Sequence, residues 1–125
     1  MQLKDYIKRV SKLYSTGQST EHTFRPALTD YIQDIVGNRY KVINERQRID
    51  CGAPDLTINK GDNDPVFFIE AKKIGDNDLD GRLLKGNKPQ FDRYKAALEH
   101  IVFTDYLDFH FYDNEILHYC PVKMD

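Results

Sequence analysis

The chain has 125 residues, of which 30% are charged and 40% hydrophobic, and its formal net charge is -2. This length fits one compact domain with its own core, and the ordinary balance of charged and apolar residues argues against wholesale disorder. The longest purely apolar run, Val66–Ile69, is far shorter than the ~20 residues of a membrane span. The slightly acidic net charge disfavours nucleic-acid binding through bulk positive charge.

Two helices are predicted first. Apolar residues recur at helical spacing over Leu3–Leu13, which predicts an amphipathic helix rather than the apolar stretch of a signal peptide. A second helix is predicted to start with Thr20 as its N-cap, to carry an apolar stripe over Phe24–Ile35 and to stop at Gly37. Pro26 lies inside this pattern and is expected to kink or divide the helix.

From Tyr40 onward, the spacing of apolar residues changes from that of helices to that of strands. Three strands are predicted over Tyr40–Asn44, Leu56–Ile58 and Val66–Ala71, and the last is apolar on both faces, as in the centre of a sheet. The later predicted elements are a polar loop over 73–87, a helix beginning near Pro89, and strands over Ile101–Phe103, Phe109–Tyr112 and Ile116–Tyr119. The order ααβββαβββ predicts an α/β sandwich with a central mixed β-sheet flanked by helices.

The charge is unevenly distributed along the chain. Residues 1–50 hold nine Lys and Arg against six Asp and Glu, whereas residues 51–125 hold nine against fourteen. An acidic half is either a solvated surface or a set of carboxylates gathered for a metal ion. Cys51 and Cys120 lack neighbours at metal-ligand spacing, so they are predicted to be free thiols of a cytoplasmic protein.

The second and third strands carry the most informative residues. If the turn at Asp62 pairs these strands antiparallel and in register, Asp55 stands directly opposite Glu70. Lys72 points to the same face as Glu70, because it is two residues further along the strand. Two carboxylates and an ammonium group are therefore predicted to meet at one end of a central strand.

This arrangement favours a metal site. Adjacent carboxylates repel each other unless a cation compensates, and Mg²⁺ prefers oxygen ligands of this kind, with Mn²⁺ as an expected substitute. Lys72 is then placed to hold a water molecule or to offset charge on a phosphate oxygen. The alternative is a structural pair between Glu70 and Lys72 at a sheet edge, with Asp55 capping a turn. The proline before Asp55, the apolar run before Glu70 and the register favour the site.

The chain carries Pro54-Asp55 and, after a gap of fourteen residues, Glu70-Ala71-Lys72. This pattern resembles the motif after which the PD-(D/E)xK nuclease superfamily is named. Further segments resemble the nuclease domains at the N-terminus of fused restriction–modification enzymes of type IIG and type ISP. These segments are Thr20–Leu28, Glu45–Asp55, Gln90–Tyr94 and Val102–Tyr106. The resemblance spans about residues 20–112 and implies a restriction-endonuclease-like sandwich.

The resemblance implies a catalytic set. Asp55 and Glu70 would be Mg²⁺ ligands, with the Ala71 carbonyl as a third, and Lys72 would be the catalytic lysine. Glu21 would be the acidic residue of the second helix that reaches the metal. The alternative for Glu21 is a first-turn glutamate that the helix dipole favours.

The resemblance also implies DNA contacts. Gln90 and Tyr94 match a Q-x-x-x-Y motif that helps to hold DNA or the active site in a subset of these nucleases, although Tyr94 is equally interpreted as a core residue. Lys73 stands where these domains carry an acidic residue, and with Arg82 and Lys88 it is expected to contact phosphates.

Two other patterns receive weaker interpretations. The aspartates of Asp76–Gly81 resemble a calcium loop only superficially, because the glutamate that closes such a loop is absent, and a flexible loop is predicted. The histidines, which include His100 and His110, lack metal-ligand spacing and are expected to pack or to point outward.

The resulting interpretation is a Mg²⁺-dependent endonuclease domain that hydrolyses DNA phosphodiester bonds in a restriction–modification system. The alternative is a DNA-binding or assembly module of the same fold that does not cleave without its methyltransferase and target-recognition partner domains. A third possibility, an unrelated partner-binding domain with an accidental motif, is disfavoured by the separate matching segments.

The expected setting follows from that interpretation. Residues 1–125 are interpreted as one domain, either excised from a longer restriction–modification polypeptide or a stand-alone relative. DNA is the expected partner, and no membrane is expected. Methyltransferase and target-recognition domains are expected in cis or in trans. A transient dimer is expected for double-strand cleavage. S-adenosylmethionine is expected only through a methyltransferase domain outside this chain.

Overall fold

The computed structural model describes residues 1–17, 22–44, 48–62 and 64–121, with side chains up to residue 118. The helices and strands of these residues follow the predicted order ααβββαβββ, which is confirmed. They are α1 (Leu3–Ser15), α2 (Arg25–Val36), β1 (Tyr40–Ile43), β2 (Leu56–Lys60), β3 (Pro65–Ala71), α3 (Lys88–Ala97), β4 (His100–Thr104), β5 (Asp108–Asp113) and β6 (Ile116–Pro121).

The six strands form one sheet in the order in which they occur along the chain. Neighbouring strands are antiparallel except β3 and β4, which run parallel. A parallel pair needs a long crossover, and the loop with α3 supplies it. The mixed sheet with its three flanking helices confirms the predicted restriction-endonuclease-like sandwich, and β3 lies near the sheet centre as expected.

The predicted register of the β2–β3 hairpin is confirmed at the end that leads to the candidate site. Leu56 pairs with Ile69, and Thr57 pairs with Phe68. The register shifts only at the far end of the hairpin, after Ile58. Beyond the pair of Leu56 and Ile69, the next residues are Asp55, just before β2, and Glu70 in β3.

The second helix starts later than predicted. It begins at Arg25, whereas the expected N-cap Thr20 lies outside the described residues. The expectation that Pro26 kinks or divides the helix is wrong, because Pro26 lies in the first turn, where the missing N–H has no partner in the helix anyway. The helix ends at Val36, and Gly37 with φ +73° forms its predicted stop.

The sheet is covered differently on its two faces. One face packs against α1 and α2, with Tyr6, Leu28 and Ile69 among its core residues. The other face packs against α3, where the rings of Phe91 and Phe103 stack with centroids 3.7 Å apart. The two faces give the fold its helix–sheet–helix layers.

Side chains alternate along β3, and this places the acidic residue of the candidate site. Ile69 and Ala71 belong to the core on the α1 and α2 side. Glu70 lies between them and is in register with Phe103, which belongs to the core under α3. The Glu70 side chain therefore points toward α3.

Two smaller predictions are also tested. Cys51 is a free, buried thiol, and burial raises its pKa, whereas the side chain of Cys120 lies outside the described part of the chain. Within the described residues, no helix combines the length and the apolar composition that a membrane span requires.

Candidate functional site

Two carboxylates are buried where β2 begins and β3 ends. Asp55 and Glu70 are each only 2% exposed. A buried carboxylate is costly unless hydrogen bonds or opposite charges compensate it, so residue pairs of this kind are usually built into a site or an ion-pair network. The groups that surround them decide between these two interpretations.

Asp55 is held by two donors from different elements. The Arg25 guanidinium donates from Nη2 to Oδ1 at 2.9 Å, and the backbone N–H of Ala71 donates to Oδ2 at 2.8 Å. Arg25 is the first residue of α2, so this ion pair joins α2 to the start of β2. Both side chains of the pair are buried, with exposed fractions of 8% for Arg25 and 2% for Asp55.

Arg25 was not among the predicted site residues. It stands in the sequence between apolar residues of a predicted buried stripe, with Phe24 on one side and Ala27 and Leu28 on the other. A cation in such a stripe needs a buried counter-ion, because charged side chains are almost never fully buried unless paired. That signal could have linked Arg25 to one of the two carboxylates.

Lys72 is positioned by α3. Its Nζ donates to Oε1 of Gln90 at 2.6 Å and lies 5.8 Å from the ring centroid of Phe91. Its backbone N–H donates to the carbonyl of Thr104 at 2.7 Å, which extends the parallel pairing of β3 and β4 by one residue. The ammonium group is therefore fixed by both a strand and a helix.

Tyr94 completes this arrangement from inside the core. It is 1% exposed, so its interpretation as a core residue holds, and it also makes a hydrogen bond with the Gln90 side chain. Burial raises the pKa of Tyr94, and the negative charge of Glu70 raises it further. A neutral phenol thus lies close to the Glu70 carboxylate and supports the residue that holds Lys72.

The chain passes very close to Tyr94 at Gly52. This glycine has φ +141°, and a Cβ built on it would lie 2.7 Å from the Tyr94 hydroxyl oxygen. We expect Gly52→Ala to lower the free energy of unfolding by about 1–3 kcal/mol more than Gly61→Ala, because it adds an overpacked contact. Gly61 has φ +74° and open space around its Cβ position, so it controls for backbone strain alone. Urea unfolding of both variants measures the difference, and equal losses would contradict the close approach.

The other predicted site residues are spread over the surface or lie outside the description. Lys73 is exposed, and Arg82 is 83% exposed with Nη2 4.0 Å from an Asp80 oxygen. Lys88 donates to Asp92 at 2.6 Å across one turn of α3. Glu21 lies outside the described residues.

The loop before α3 is organised by its own aspartates. The Asp78 carboxylate accepts hydrogen bonds from the backbone N–H groups of Arg82, Leu83 and Asn87. Burial alone would raise the pKa of Asp78, but these donors outweigh it and hold that pKa below its usual value. Asp76 in turn accepts from the N–H of Asp78 and from the Asn87 amide. The Asp76 and Asp78 carboxylates therefore hold the loop in its conformation through hydrogen bonds. This role accounts for the closely spaced aspartates of the loop without a bound calcium ion.

A second cluster lies at the other end of β4. Glu99, His100 and Asp113 could hold a metal ion, since one ligand atom from each lies within 4.8 Å of the others. The His100 Nδ1 is 3.2 Å from an Asp113 oxygen, and its Nε2 is 3.7 Å from a Glu99 oxygen. The linear spacing of the histidines gave no sign of this cluster, because it forms only when β4 and β5 pair His100 with Asp113.

The residues of the first site fit a hard divalent cation. Carboxylate oxygens of Asp55 and Glu70, with a backbone carbonyl such as that of Ala71, are donors that Mg²⁺ prefers. The Arg25 guanidinium already contacts one Asp55 oxygen, so a cation bound there would share this carboxylate with it. These oxygen donors are of the kind that Mg²⁺ prefers, and the Arg25 guanidinium would compete with the cation for Asp55.

Comparison with known proteins identifies the fold but not a family. No protein-family profile matches the chain, and no curated protein matches it. Among solved structures, the chain is similar to a DrdV–DNA complex determined by cryo-electron microscopy, with a TM-score of 0.71 and 19% identity. The two share a fold. The match covers 95% of this chain but only 12% of the DrdV chain, so this domain corresponds to a small part of that protein.

Proposed function

We propose that this chain is a Mg²⁺-dependent endonuclease domain of the PD-(D/E)xK type that hydrolyses DNA phosphodiester bonds in a restriction–modification system. The observation that carries the proposal is the burial of Asp55, just before β2, and of Glu70, near the end of β3, at the same end of the hairpin, with Lys72 two residues beyond Glu70. The carboxylates are buried, and the lysine is held by Gln90. The shared fold with DrdV in a DNA complex supports DNA as the partner.

Each residue has a role in this proposal. Asp55 and Glu70, with the Ala71 carbonyl, would hold the cation. A bound Mg²⁺ supplies Lewis-acid stabilisation of the phosphate and a more acidic bound water. Lys72 orients the attacking water and offsets negative charge that develops on the phosphate, and Gln90 keeps its Nζ in place.

DNA binding by a slightly acidic domain depends on where its cations lie. Lys73 directly follows Lys72, and Arg82 lies further along the segment between β3 and α3; both side chains are exposed. We propose that they contact phosphates on either side of the scissile bond. Methyltransferase and target-recognition domains, in cis or in trans, would supply sequence specificity.

Plasmid nicking tests the proposal and separates the two candidate metal sites. Wild-type protein is expected to nick supercoiled DNA with Mg²⁺ and to be inactive with EDTA. Glu70→Gln should lower the rate by about 10²-fold or more, because it removes a ligand charge at the site of cleavage. Glu99→Gln, which alters the cluster at the other end of β4, should leave the rate within about twofold. Loss of nicking in Glu99→Gln with normal nicking in Glu70→Gln would contradict the assignment.

If the wild-type protein does not nick plasmid DNA, binding measurements distinguish the proposal from its alternative. If Mg²⁺ binds and the binding is lost in Asp55→Asn, the domain has a metal site that works only with partner domains. If DNA binds but no cation does at any concentration tested, the DNA-binding or assembly module is the better description. Isothermal titration calorimetry with Mg²⁺ and with DNA measures this binding on the same protein preparation that is used for plasmid nicking.

A further inference from the structure

Arg25 and Asp55 form a buried ion pair within the proposed site, and this pair needs an explanation beyond stability. Its Nη2–Oδ1 distance is 2.9 Å, and both side chains are at least nine-tenths buried. On average, a buried ion pair contributes no more stability than well-packed apolar residues of the same volume. A pair placed on a proposed metal ligand is therefore best explained by what it does to the metal.

Two positively charged side chains belong to the proposed site. Counted as formal charges, Arg25 and Lys72 (+1 each) match Asp55 and Glu70 (−1 each). A divalent cation would add +2 to this set, with the guanidinium in contact with the same carboxylate as the cation. Like charges at such short range repel strongly in a partly desolvated site.

A DNA phosphate reverses this balance. Each phosphate that enters the site adds −1, which offsets part of the cation charge and gives Arg25 an alternative anionic partner. Guanidinium groups bind phosphates well, because their donors match the geometry of two phosphate oxygens. Cation and DNA should therefore favour each other's binding, and by linkage the effect is reciprocal.

We propose that Arg25 is a positioning residue that makes cation binding at Asp55 depend on DNA. In the free protein the guanidinium orients Asp55 and lowers the affinity of the site for divalent cations. When DNA is present, Arg25 shares its contact with a phosphate and the cation binds tightly. This inference rests on the proposed function, because it takes Asp55 as a cation ligand. A site of this kind would bind its divalent cation tightly only when DNA is bound.

Mn²⁺ is the probe for this inference, because free Mn²⁺ gives a strong electron paramagnetic resonance signal that bound Mn²⁺ loses. We would titrate it into the protein with and without a short mixed-sequence duplex that carries cleavage-resistant phosphorothioate linkages. The variants are Arg25→Met and Asp55→Asn, with Arg9→Met as the matched control. Arg9 also pairs with an aspartate of α2, at 2.6 Å from Asp30, but at the surface.

Wild-type protein is expected to bind Mn²⁺ about tenfold more tightly with the duplex than without it. Arg25→Met should bind Mn²⁺ about tenfold more tightly than wild type in the absence of the duplex, and should gain less from the duplex. Arg9→Met should match wild type. Mn²⁺ should also raise the melting temperature of Arg25→Met by more than that of wild type, because tighter binding to the folded state stabilises it more.

The outcomes separate this inference from the proposed function. Equal Mn²⁺ affinities of wild type and Arg25→Met, both lost in Asp55→Asn, would overturn the role of Arg25 and leave the metal site in place. Equal affinities of all variants with the duplex present would overturn both. If Arg25→Met does not fold, Arg25→Gln provides the test, since it removes the positive charge but keeps an amide that can donate a hydrogen bond to Asp55. A Mn²⁺ affinity of Arg25→Gln equal to that of wild type in the absence of the duplex would then overturn the inference.

Discussion

Lys72→Ala is expected to lower the rate of Mg²⁺-dependent plasmid nicking by about 10²–10⁴-fold, the usual contribution of a positioned proton-transfer or water-orienting side chain. The physical reason is the position of its Nζ, which the 2.6 Å hydrogen bond to Gln90 holds at the end of β3, two residues beyond the buried Glu70. The measurement is the initial rate of conversion of supercoiled to open-circular DNA at saturating Mg²⁺. Lys60→Ala is the control, because Lys60 is an exposed lysine at the opposite end of β2.

The same variant distinguishes a catalytic from a structural role of Lys72. A lysine that only neutralises Glu70 would, when removed, change Mn²⁺ affinity and melting temperature together with the nicking rate. A catalytic lysine changes the rate and leaves Mn²⁺ affinity with the phosphorothioate duplex within a few fold. A nicking rate of Lys72→Ala equal to that of Lys60→Ala would remove Lys72 from the mechanism. Gln90→Ala should show a smaller loss than Lys72→Ala, because it loosens the lysine without removing it.

The parts of this fold that could be predicted are those that local pattern determines. The apolar stripe of α1, the alternation of β2 and the apolar run Val66–Ile69 of β3 are each local patterns in the sequence. The hairpin register followed from a short turn, since a short connection leaves few ways to pair two strands. The predicted start of α2 was wrong because Thr20 was interpreted as the N-cap and Pro26 as an interruption inside the helix. Proline is also favoured in the first turn of a helix, and that is where Pro26 lies.

The parts of the site that escaped prediction depend on contacts between distant residues. Asp55, Glu70 and Lys72 lie at one end of a single hairpin, so strand geometry alone predicted that they share this edge of the sheet. Arg25 reaches Asp55 from a helix thirty residues earlier. A cation within an apolar stripe indicates a buried counter-ion, but the sequence does not say which carboxylate it is. The cluster around His100 likewise forms only through strand pairing that brings Asp113 beside it.

Arg25→Met is expected to lower the free energy of unfolding by about 3–5 kcal/mol, because it leaves Asp55 in a buried position without the guanidinium. That loss is a large share of the ~5–15 kcal/mol that stabilises a typical domain. Arg9→Met breaks an ion pair of 2.6 Å between exposed side chains and should cost about 0–1 kcal/mol. Urea unfolding at neutral pH, without divalent cations, measures both. A loss in Arg25→Met no larger than in Arg9→Met would contradict the burial of the pair.

The double variant Arg25→Met with Asp55→Leu shows why the pair exists. Because it removes both charges and fills the space with apolar groups, we expect it to recover most of the stability that Arg25→Met loses. It should do so with no Mn²⁺ binding at this site and no nicking. A double variant as unstable as Arg25→Met would mean that the ion pair itself holds α2 to the sheet. Recovery would mean that an apolar pair could replace it structurally, so that the charges of Arg25 and Asp55 serve the chemistry at the end of β3.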